Sequence, residues 1–360
     1  MFNHIKRFYS SALKKYTDML SSSDFLEAYL PRTLNHHSQL SKLIDFPSND
    51  YDITSISKSI CEPSYNILDR RGKMWRGSLC LLTADIFQHD PREILPLAHS
   101  IEVIHNASLI CDDIEDKSEK RRGLPSTYKI YGLDIALNCG NFMYFLPLRI
   151  IHDLAIDITR KEKILKTYSE EMLQLHLGQC TDISWNNNKF YIPSEEQYYR
   201  MVFNKTSVLV RMSVKFALSY FGHDDAVSSA LIHYAEKIGV SFQIMDDILN
   251  LVSPVYKEGR NFLGEDITEG KKTLIIIRAI SQSKNKAERL NEILAMHTND
   301  IGLVNEALDI INSTDAIDYA KNMAIRLKDE AWGPLKELLP NSEVKESLES
   351  LSEMVCTRVK

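Results

Sequence analysis

The sequence predicts an all-α protein of roughly ten long helices. Apolar residues recur at spacings of three and four through the long stretches 92–110, 201–222 and 230–252. Glycine and proline are sparse, with 13 and 11 among 360 residues, and the Asn-Gly and Asp-Gly pairs typical of β-hairpins do not occur. Stretches of alternating apolar and polar residues are hard to find, so the helical pattern has no strand pattern competing with it.

Composition limits the classes of function. A chain of 360 residues with 44% hydrophobic and 26% charged residues is typical of a soluble globular protein with one large domain or two ordinary ones. The net charge of −6 gives no overall basic field, so we expect no nucleic-acid partner. The 6 cysteines form no CxxC pair and no Cys/His cluster, which argues against a zinc site and a disulfide framework and favours a cytoplasmic location.

The N-terminus has a composition of its own. No acidic residue precedes Asp18, whereas Lys6, Arg7, Lys14 and Lys15 do. This pattern is typical of a transit peptide and predicts, as one alternative, a mitochondrial location through residues 1–20. The other alternative, which we favour, is a basic amphipathic first helix. No apolar run approaches the ~20 residues of a membrane-spanning helix, so no transmembrane segment is expected.

Breaks in the helical pattern predict the organisation of the chain. A polar break at 46–52 separates an N-terminal extension, residues 1–55, from a single domain over residues 56–360. Gly123 and Pro125 in the stretch 121–127 end the helix before them. Further loops are predicted at 184–197, with a new helix starting near Ser194, and at 257–273, which is polar and glycine-rich.

Two aspartate clusters each follow a long apolar helical stretch. The first contains Asp112, Asp113 and Asp116, and the second contains Asp246 and Asp247. Carboxylates four residues apart share a helix face and repel by about 0.2–0.5 kcal/mol, so a compensating cation is expected. Mg²⁺ binds one or two carboxylates together with substrate phosphates. One such helix end alone is more often solvated surface, but two of them favour carboxylates that face each other across a cavity and hold metal and an anionic ligand.

Basic residues near these clusters supply partners for an anion. Arginine binds phosphate through a planar fork and lysine binds it as a point charge. Each basic residue alone is more often a surface charge. Lys205, beside Thr206, stands out because the surrounding helix is apolar and burying an unpaired ammonium is costly. The others belong to a GKxxR group, to a pair after the first cluster and to a pair after the second: Lys73 and Arg76, Arg121 and Arg122, Lys271 and Lys272.

Together these motifs resemble the trans-isoprenyl diphosphate synthase family, the farnesyl and geranylgeranyl diphosphate synthases, and are closest to its eukaryotic geranylgeranyl type. The first DDxxD motif is complete at Asp112–Asp116, and the second ends in Asn250. The segments GKMWR, HNASLI, NKT, FQIMDD and EDITEGK follow in the family's order, from about residue 56 to the C-terminus. The resemblance implies the isoprenoid synthase fold, an all-α bundle of about ten or more helices around a central active-site cavity.

The resemblance also implies a role for each residue that matches a family motif. The diphosphate of isopentenyl diphosphate would be held by Lys73, Arg76, His105 and Arg122. The allylic diphosphate would be surrounded by Arg121, Lys205, Thr206, Gln243 and Lys271. Mg²⁺, present as three ions in the family, would be bound by Asp112, Asp116 and Asp246, with Asp113 and Asp247 close by.

Two departures from the family pattern fall on or near the second motif. Asn250 replaces its last aspartate, as in eukaryotic geranylgeranyl diphosphate synthases, so an active enzyme is still expected. The loop lysine usually found before the EDITEGK element is missing, and Arg260-Asn261 stands there instead. Arg260 is the residue expected to substitute, although a planar fork is not a point charge.

The length of the product depends on side chains below the first motif. Ala107 and Ser108, five and four residues before Asp112, are small, so a growing prenyl tail can pass this level. Further on, Tyr144, Phe145 and His176 match residues that close the tunnel at twenty carbons in the eukaryotic geranylgeranyl type. The alternative is that these aromatic residues are ordinary helix core.

The resemblance therefore implies a trans-prenyltransferase that condenses isopentenyl diphosphate with dimethylallyl, geranyl and farnesyl diphosphates to geranylgeranyl diphosphate, as a homodimer. A terpene cyclase, or a prenyltransferase to a non-isoprenoid acceptor, is an alternative, but it needs no isopentenyl site. A non-catalytic regulatory subunit is another alternative, but such subunits tend to lose the first aspartate motif. The chain keeps both features.

Overall fold

The computed structural model describes residues 13–45, 48–252, 264–283 and 285–357, and the all-α prediction is confirmed. The only strands in these ranges are Lys120–Arg121 and Leu124–Pro125, which pair as β1 and β2 of one short hairpin. The described residues form two compact units. We call residues 13–168 with Met212–Asp224 the N-terminal unit, and Ser169–Arg211 with residues 225–357 the C-terminal unit.

The N-terminal unit is built around α6, which packs along α8 and α5. Its core joins apolar side chains of these helices with others from the N-terminal segment, such as Leu30 and Leu34. Short 3₁₀ helices lie at His37–Lys42 and Pro91–Ile94, and a π-helical turn at Ser57–Cys61. The α-helices are α1 Lys14–Ser21, α2 Phe25–Tyr29, α3 Ile53–Ile56, α4 Glu62–Leu68, α5 Trp75–Ile86, α6 Leu95–Glu115, α7 Thr127–Tyr131 and α8 Leu133–His152.

The C-terminal unit has α12 at its centre, packed along α17 over an extensive apolar core. Two long helices, α9 and α11, begin in one unit and end in the other. The helices are α9 Ile158–Asn187, α10 Glu195–Lys205, α11 Ser207–Phe221, α12 Ala226–Val252, α13 Glu265–Thr268, α14 Leu274–Gln282, α15 Ala287–Ala295, α16 Ile301–Asn312, α17 Ala316–Leu338 and α18 Glu343–Thr357.

Capping side chains explain several helix starts. Ser194 accepts a hydrogen bond from the backbone N–H of Gln197, whose side chain accepts in return from the N–H of Ser194. This reciprocal pair satisfies two N–H groups at the start of α10 and confirms the predicted start near Ser194. Thr273 and Asp300 cap α14 and α16 by the side-chain contact alone, accepting from backbone N–H groups of the first turn.

Three predicted boundaries differ from the structure. The helix of the first aspartate cluster ends at Glu115, well before the stretch 121–127, because residues 120–125 form the β-hairpin. Arg122 and Gly123 form its turn with φ of 54° and 80°, and positive φ at both positions is what a two-residue hairpin turn requires. The predicted loop at 184–197 is shorter, because α9 runs to Asn187.

The third difference concerns the predicted polar loop at 257–273. Residues 253–263 lie outside the described ranges, and within the remainder Glu265–Thr268 is the short helix α13. Gly264 precedes it in the left-handed conformation, with φ of 83°, which glycine adopts without steric cost. The loop therefore contains a structured element that carries Asp266.

One described stretch, Pro91–Glu115, is long and apolar enough to cross a membrane when judged by length and composition alone. This differs from the expectation that no apolar run approaches that length. Of its apolar window, 67% is buried inside the protein, as in the core helix of a globular unit. The stretch is therefore weak evidence for a membrane span.

Helix α1 belongs to the core of the N-terminal unit. Leu13, Tyr16 and Leu20 are each at most 2% exposed, and the Tyr16 hydroxyl donates to Asp85 over 2.7 Å. Leu20 packs so closely against Gly77 that a methyl group added at Gly77 would lie 3.0 Å from its Cδ1. Removal of residues 1–20 would therefore take buried side chains away from α5. The predicted division into residues 1–55 and 56–360 stays a prediction.

We predict that Leu20→Ala lowers the free energy of unfolding by about 2–5 kcal/mol, the usual cost of emptying a fully buried leucine site. Denaturant titration of the full chain measures the change. Lys14→Ala on the same helix is the control, because Lys14 forms only an exposed pair with Asp18 and should change stability by less than about 0.5 kcal/mol. Equal effects of the two substitutions would mean that α1 is not part of the core.

Candidate active site

The first aspartate motif lies at the C-terminal end of α6, in the N-terminal unit, and its aspartates have different surroundings. The side chain of Asp113 is 1% exposed and accepts from Nε of Arg121 over 2.7 Å, and also from Nη2. The side chain of Asp112 is 22% exposed and lies 3.6 Å from Nη2 of Arg121. Asp116 is half-buried at the end of the helix. Asp113 thus anchors Arg121, while the other two carboxylates are more accessible.

Burial raises the pKa of Asp113, and the positive charge of Arg121 opposes that shift. A carboxylate in an apolar surrounding is costly unless it is paired, so this ion pair explains how Asp113 is tolerated. The same pair fixes the position of Arg121, which was predicted to contact the allylic diphosphate.

Arg122 lies against the glycine of the GKxxR group. A methyl group added at Gly72 would lie 2.7 Å from Nη2 of Arg122, so a larger residue there would displace the guanidinium from its present position. Nη1 of Arg122 donates to Oδ1 of Asn106 over 3.2 Å and to the carbonyl of Ile67 over 3.3 Å. The predicted isopentenyl ligand Arg122 is therefore placed beside the turn that carries Lys73, whose side chain is exposed.

Arg76, His105 and Arg122 form one electrostatic group. Burial and the neighbouring charges of Arg76 and Arg122 hold the pKa of His105 well below its ordinary value. Glu102, one turn before His105 on α6, is buried and accepts from the backbone N–H of Gly77 over 2.8 Å. Burial raises the pKa of Glu102, and the hydrogen bond and both arginines oppose that shift. The structure thus places three of the four predicted isopentenyl ligands near one another, with the Glu102 carboxylate beside the two arginines.

The sequence predicts Lys205 and Thr206 inside one apolar helix. In the structure they lie at the junction of two helices of the C-terminal unit. Lys205 ends α10, Thr206 follows it, and Ser207 begins α11. Nζ of Lys205 donates to Oδ2 of Asp182 over 2.6 Å, and Asp182 is 6% exposed. The buried carboxylate of Asp182 pairs with the ammonium of Lys205, and this ion pair explains how the charge is tolerated in an apolar stretch.

Two glycines let neighbouring helices approach this junction. A methyl group added at Gly178 on α9 would overlap the backbone N of Lys205, and one at Gly239 on α12 would lie 2.5 Å from Cα of Ser207. One helical turn after each glycine stands a polar residue that contacts the junction: Asp182 after Gly178, and Gln243 after Gly239. The small residues therefore set the distance at which the polar residues make their contacts.

A chain of hydrogen bonds connects the junction to the second aspartate motif. The Thr206 hydroxyl donates to Oε1 of Gln243 over 2.8 Å, and Nε2 of Gln243 donates to Oδ1 of Asp247 over 2.8 Å. The Tyr198 hydroxyl donates to Oδ2 of Asp247, also over 2.8 Å. Both oxygens of Asp247 thus accept from the protein, whereas Asp246 is half-buried and more accessible. Burial and Asp266 raise the pKa of Asp247 well above its ordinary value.

Asn250, which replaces the last aspartate of the second motif, has a structural role. It is 2% exposed, its Oδ1 accepts from the N–H of Asp266 over 3.1 Å, and its carbonyl accepts from the N–H of Gly264 over 3.0 Å. Asn250 therefore holds the start of α13 rather than presenting a metal ligand. Its amide adds no further negative charge beside Asp247 and Asp266.

The two lysines after α13 have different environments. Nζ of Lys271 lies 3.8 Å from Oδ1 of Asp266 and pairs with Glu269. Lys272 is 3% exposed and donates to Oδ1 of Asn291 over 3.0 Å, and burial lowers its pKa to about 8. Only Lys271 was predicted to contact substrate. Arg260, the predicted substitute for the missing loop lysine, lies outside the described residues, as does Asn261.

The residues predicted to set product length differ in how deeply they are buried. Ala107 is fully buried in the core of the N-terminal unit, and Ser108 donates to the carbonyl of His105. Tyr144 is half-buried, and its carbonyl accepts from the Tyr168 hydroxyl. Phe145 is 68% exposed on α8, and His176 is exposed on α9 of the C-terminal unit. Within its own unit neither side chain lines a closed cavity, so their role in a tunnel floor stays a prediction.

The accessible carboxylates have the donor chemistry of magnesium ligands. Asp112 on α6 and Asp116 directly after it, and in the other unit Asp246 on α12, offer the hard oxygen atoms that Mg²⁺ prefers. In the described residues, no group of three His, Cys, Asp or Glu side chains is placed to hold an ion. That the two clusters face each other across a cavity stays a prediction.

Four residues that contact or lie beside predicted site residues are not among those that the sequence predicts: Asp182, Tyr198, Glu102 and Arg70. The first lies inside the segment HLGQCTDISW, and the apolar surroundings of Lys205 were a signal that a carboxylate partner had to exist. Tyr198 stands seven residues before Lys205 on α10, two helical turns away. Arg70 donates to backbone carbonyls of the hairpin that carries the arginine pair.

Comparison with known proteins agrees with these motifs. The family model described as polyprenyl synthetase matches residues 57–311. The chain is 31% identical to a geranylgeranyl pyrophosphate synthase of Mucor circinelloides f. lusitanicus over 293 residues, which is 81% of this chain and 92% of that protein. It is 32% identical to a geranylgeranyl pyrophosphate synthase of Dictyostelium discoideum over 301 residues, or 84% and 95% of the two chains. The geranylgeranyl pyrophosphate synthetase structure of Pyrococcus horikoshii Ot3 is similar with a TM-score of 0.82 and 25% identity, covering 98% and 99% of the two chains.

We predict that Gly178→Ala and Gly239→Ala each lower the free energy of unfolding by about 1–3 kcal/mol, because the added methyl groups push against the backbone of the Lys205–Ser207 junction. Gly333→Ala on α17 is the matched control: nothing lies near its added methyl group, so better helix propensity should stabilise by up to about 1 kcal/mol. Urea denaturation measures all three. A stabilising effect at Gly178 or Gly239 would contradict the close approach.

The buried Lys272 predicts a pH dependence of stability. Its folded pKa of about 8 lies below the ordinary 10.5, so the folded state carries the full cost of the buried ammonium below about pH 8 and loses that cost as pH rises to 10.5. The unfolding free energy of the wild type should therefore rise, relative to Lys272→Met, between those two pH values. Denaturant titrations of both proteins across that range test it, with the exposed Lys286→Met as control. A difference that stays constant with pH would contradict the prediction.

Proposed function

The chain belongs to the polyprenyl synthetase family, and from this membership we propose that it condenses isopentenyl diphosphate with dimethylallyl, geranyl and farnesyl diphosphates to geranylgeranyl diphosphate and diphosphate. The observation that carries this proposal is the group of Arg76, His105 and Arg122 beside a complete first aspartate motif. An enzyme that elongates a chain needs a second diphosphate site for isopentenyl diphosphate, and this group supplies one. A cyclase needs only the allylic site, so it is disfavoured.

In the isopentenyl site, Arg76 and Arg122 bind the diphosphate through charge-assisted hydrogen bonds, with Lys73 at the exposed edge. His105 contributes a ring N–H donor to the same head group. Glu102 balances the two guanidinium groups before substrate arrives, and it also holds the start of α5 through the N–H of Gly77. These residues fix the isopentenyl head group so that its double bond points to the allylic substrate.

In the allylic site, Arg121, Lys205 and Lys271 bind the diphosphate that leaves. Each of these cations already has a carboxylate partner, which limits its motion: Asp113, Asp182 and Glu269, in the same order. A side chain that is held in place loses less conformational entropy when it binds substrate. Arg260 is proposed to add a further contact in place of the usual loop lysine.

Bound to Asp112, Asp116 and Asp246, three Mg²⁺ ions would act as Lewis acids that neutralise the leaving diphosphate. The carbon–oxygen bond of the allylic diphosphate breaks and leaves an allylic cation. Oxygen atoms of Thr206, Gln243 and the Lys205 carbonyl are the dipoles proposed to stabilise this cation. The isopentenyl double bond then attacks to form the new carbon–carbon bond, and the departed diphosphate takes the proton that is lost.

Exposed apolar side chains support a homodimer. On α8, Leu133, Leu137 and Phe145 repeat at spacings of four and eight residues and are 57%, 43% and 68% exposed. Apolar stripes of this kind mark surfaces that a partner covers. A second copy of this chain is the proposed partner, and it would bury Phe145 next to Tyr144, the proposed floor of the product tunnel. His176 is proposed to complete the floor, and a cytoplasmic location is proposed from the cysteine usage.

Product analysis tests the proposal. Purified protein with Mg²⁺ and isopentenyl diphosphate is incubated separately with dimethylallyl, geranyl and farnesyl diphosphates, and the dephosphorylated products are sized by mass spectrometry. We expect a twenty-carbon alcohol from each primer, and longer products from Tyr144→Ala, Phe145→Ala or His176→Ala because the floor is then lowered. Phe190→Ala is the control, since that ring is 90% exposed on a loop.

Three outcomes would contradict the proposal in different ways. Cyclic hydrocarbon formed without isopentenyl diphosphate would indicate a cyclase. A folded protein without turnover on any primer would indicate a regulatory subunit. Twenty-carbon product from the wild type and all four variants would support the synthase activity but contradict the role of Tyr144, Phe145 and His176 as the floor of the tunnel.

A further inference from the structure

We infer that Arg70 is a positioning residue: its guanidinium holds the β1–β2 hairpin so that Arg121 and Arg122 are placed to bind diphosphate, without touching substrate itself. The hairpin is the part of the N-terminal unit that supplies one cation to each proposed diphosphate site. The kinetic part of this inference rests on the proposed function, whereas the structural part does not.

Arg70 bridges both strands of the hairpin. Its Nη1 donates to the carbonyl of Arg121 over 3.0 Å, and its Nη2 donates to the carbonyl of Pro125 over 2.8 Å. Arg121 lies on β1 and Pro125 on β2, so a single planar fork spans the hairpin. Lysine, with one ammonium on a flexible stem, cannot reproduce this spacing of donors.

The other side of the guanidinium is fixed to α4. Nε of Arg70 donates to the carbonyl of Asn66 over 3.0 Å, and Nη2 donates to its Oδ1 over 2.6 Å. The preceding residue, Asp69, accepts both Nη groups of Arg32, at 2.7 and 3.1 Å, and the Arg32 guanidinium lies 4.2 Å from the Tyr65 ring centroid. Arg70 therefore connects the hairpin to a turn that is itself held in place.

The hairpin needs this support. It has only two pairs of residues in register, Lys120 with Pro125 and Arg121 with Leu124. A two-stranded hairpin is marginally stable on its own in water. Its turn places Arg122 at φ 54°, in the left-handed region that costs a residue with a side chain about 1–2 kcal/mol. Contacts from outside must hold this arrangement, and Arg70 contributes two of them.

The structure supplies a matched control at the next position. Arg71 carries the same charge on the same turn, but its side chain is exposed, and it is not part of the proposed diphosphate sites. Arg71 has φ 39°, so β-branched substitutions are avoided there and unbranched residues are used at both positions. Comparing Arg70→Lys and Arg70→Met with Arg71→Lys and Arg71→Met separates the effect of the planar guanidinium from the effect of the positive charge.

Hydrogen exchange of the full-length protein without substrate measures the structural part. We expect amides of residues 118–126 to exchange at least about tenfold faster in Arg70→Lys and Arg70→Met, and within about twofold of wild type in both Arg71 variants. Amides of α12, in the other unit, serve as the internal check that the variants are folded. Unchanged exchange at 118–126 in the Arg70 variants would overturn the inference.

Steady-state kinetics measure the functional part. We expect both Arg70 variants to raise KM for isopentenyl diphosphate about tenfold, the loss of roughly one charge-assisted hydrogen bond, with kcat at saturation within about threefold of wild type. A normal Arg70→Lys with an impaired Arg70→Met would show that charge alone matters and would overturn the inference. Faster exchange at 118–126 in the Arg70 variants, together with a wild-type protein that turns over no primer, would support the positioning role and contradict the proposed function.

Discussion

The close approach of two helices to the backbone at Lys205–Ser207 is the constraint on which the site in the C-terminal unit depends. Gly178 and Gly239 allow it, because any side chain at either position would collide with the junction. Since each glycine stands one turn before a polar residue, the backbone distance also sets the contacts Lys205–Asp182 and Thr206–Gln243. A packing requirement and the placement of functional groups are therefore the same requirement in this unit.

The two aspartate motifs use their second aspartate in the same way. Asp113 and Asp247 are 1% and 6% exposed, and both accept hydrogen bonds from the protein: Arg121 donates to Oδ1 of Asp113, whereas Gln243 and Tyr198 donate to the two oxygens of Asp247. In each pair the first aspartate is the more accessible. Carboxylates that look equivalent in sequence thus differ in the structure: the second aspartate of each pair is buried and holds neighbouring groups, and the first is more exposed.

The sequence predicted the elements of this site but not the pairs that hold them. Spacing on a helix places Asp112 with Asp116, because that relation is local. The pairing of Lys205 with Asp182 is tertiary and spans 23 positions, and no spacing rule predicts it. Gly123 and Pro125 indicate that a helix ends, but they do not by themselves indicate the hairpin at 120–125. Its turn also requires Arg122, an unusual residue for this position, to adopt a positive φ. The contact of Arg70 with the hairpin cannot be predicted from sequence, because its acceptors there are backbone carbonyls, which any residue supplies.

Cations of the proposed diphosphate sites are positioned by carboxylates of the protein itself. Several positive charges held close together repel, and a protein that waited for substrate to neutralise them would have to order each side chain on binding. Here Arg121 and Lys205 are each paired with a buried carboxylate, and Glu102 balances Arg76 and Arg122. The carboxylate partners of Arg121 and Lys205 are more buried than the cations themselves. Because the carboxylates set the positions of the cations in advance, substrate binding adds hydrogen bonds to groups that are already ordered.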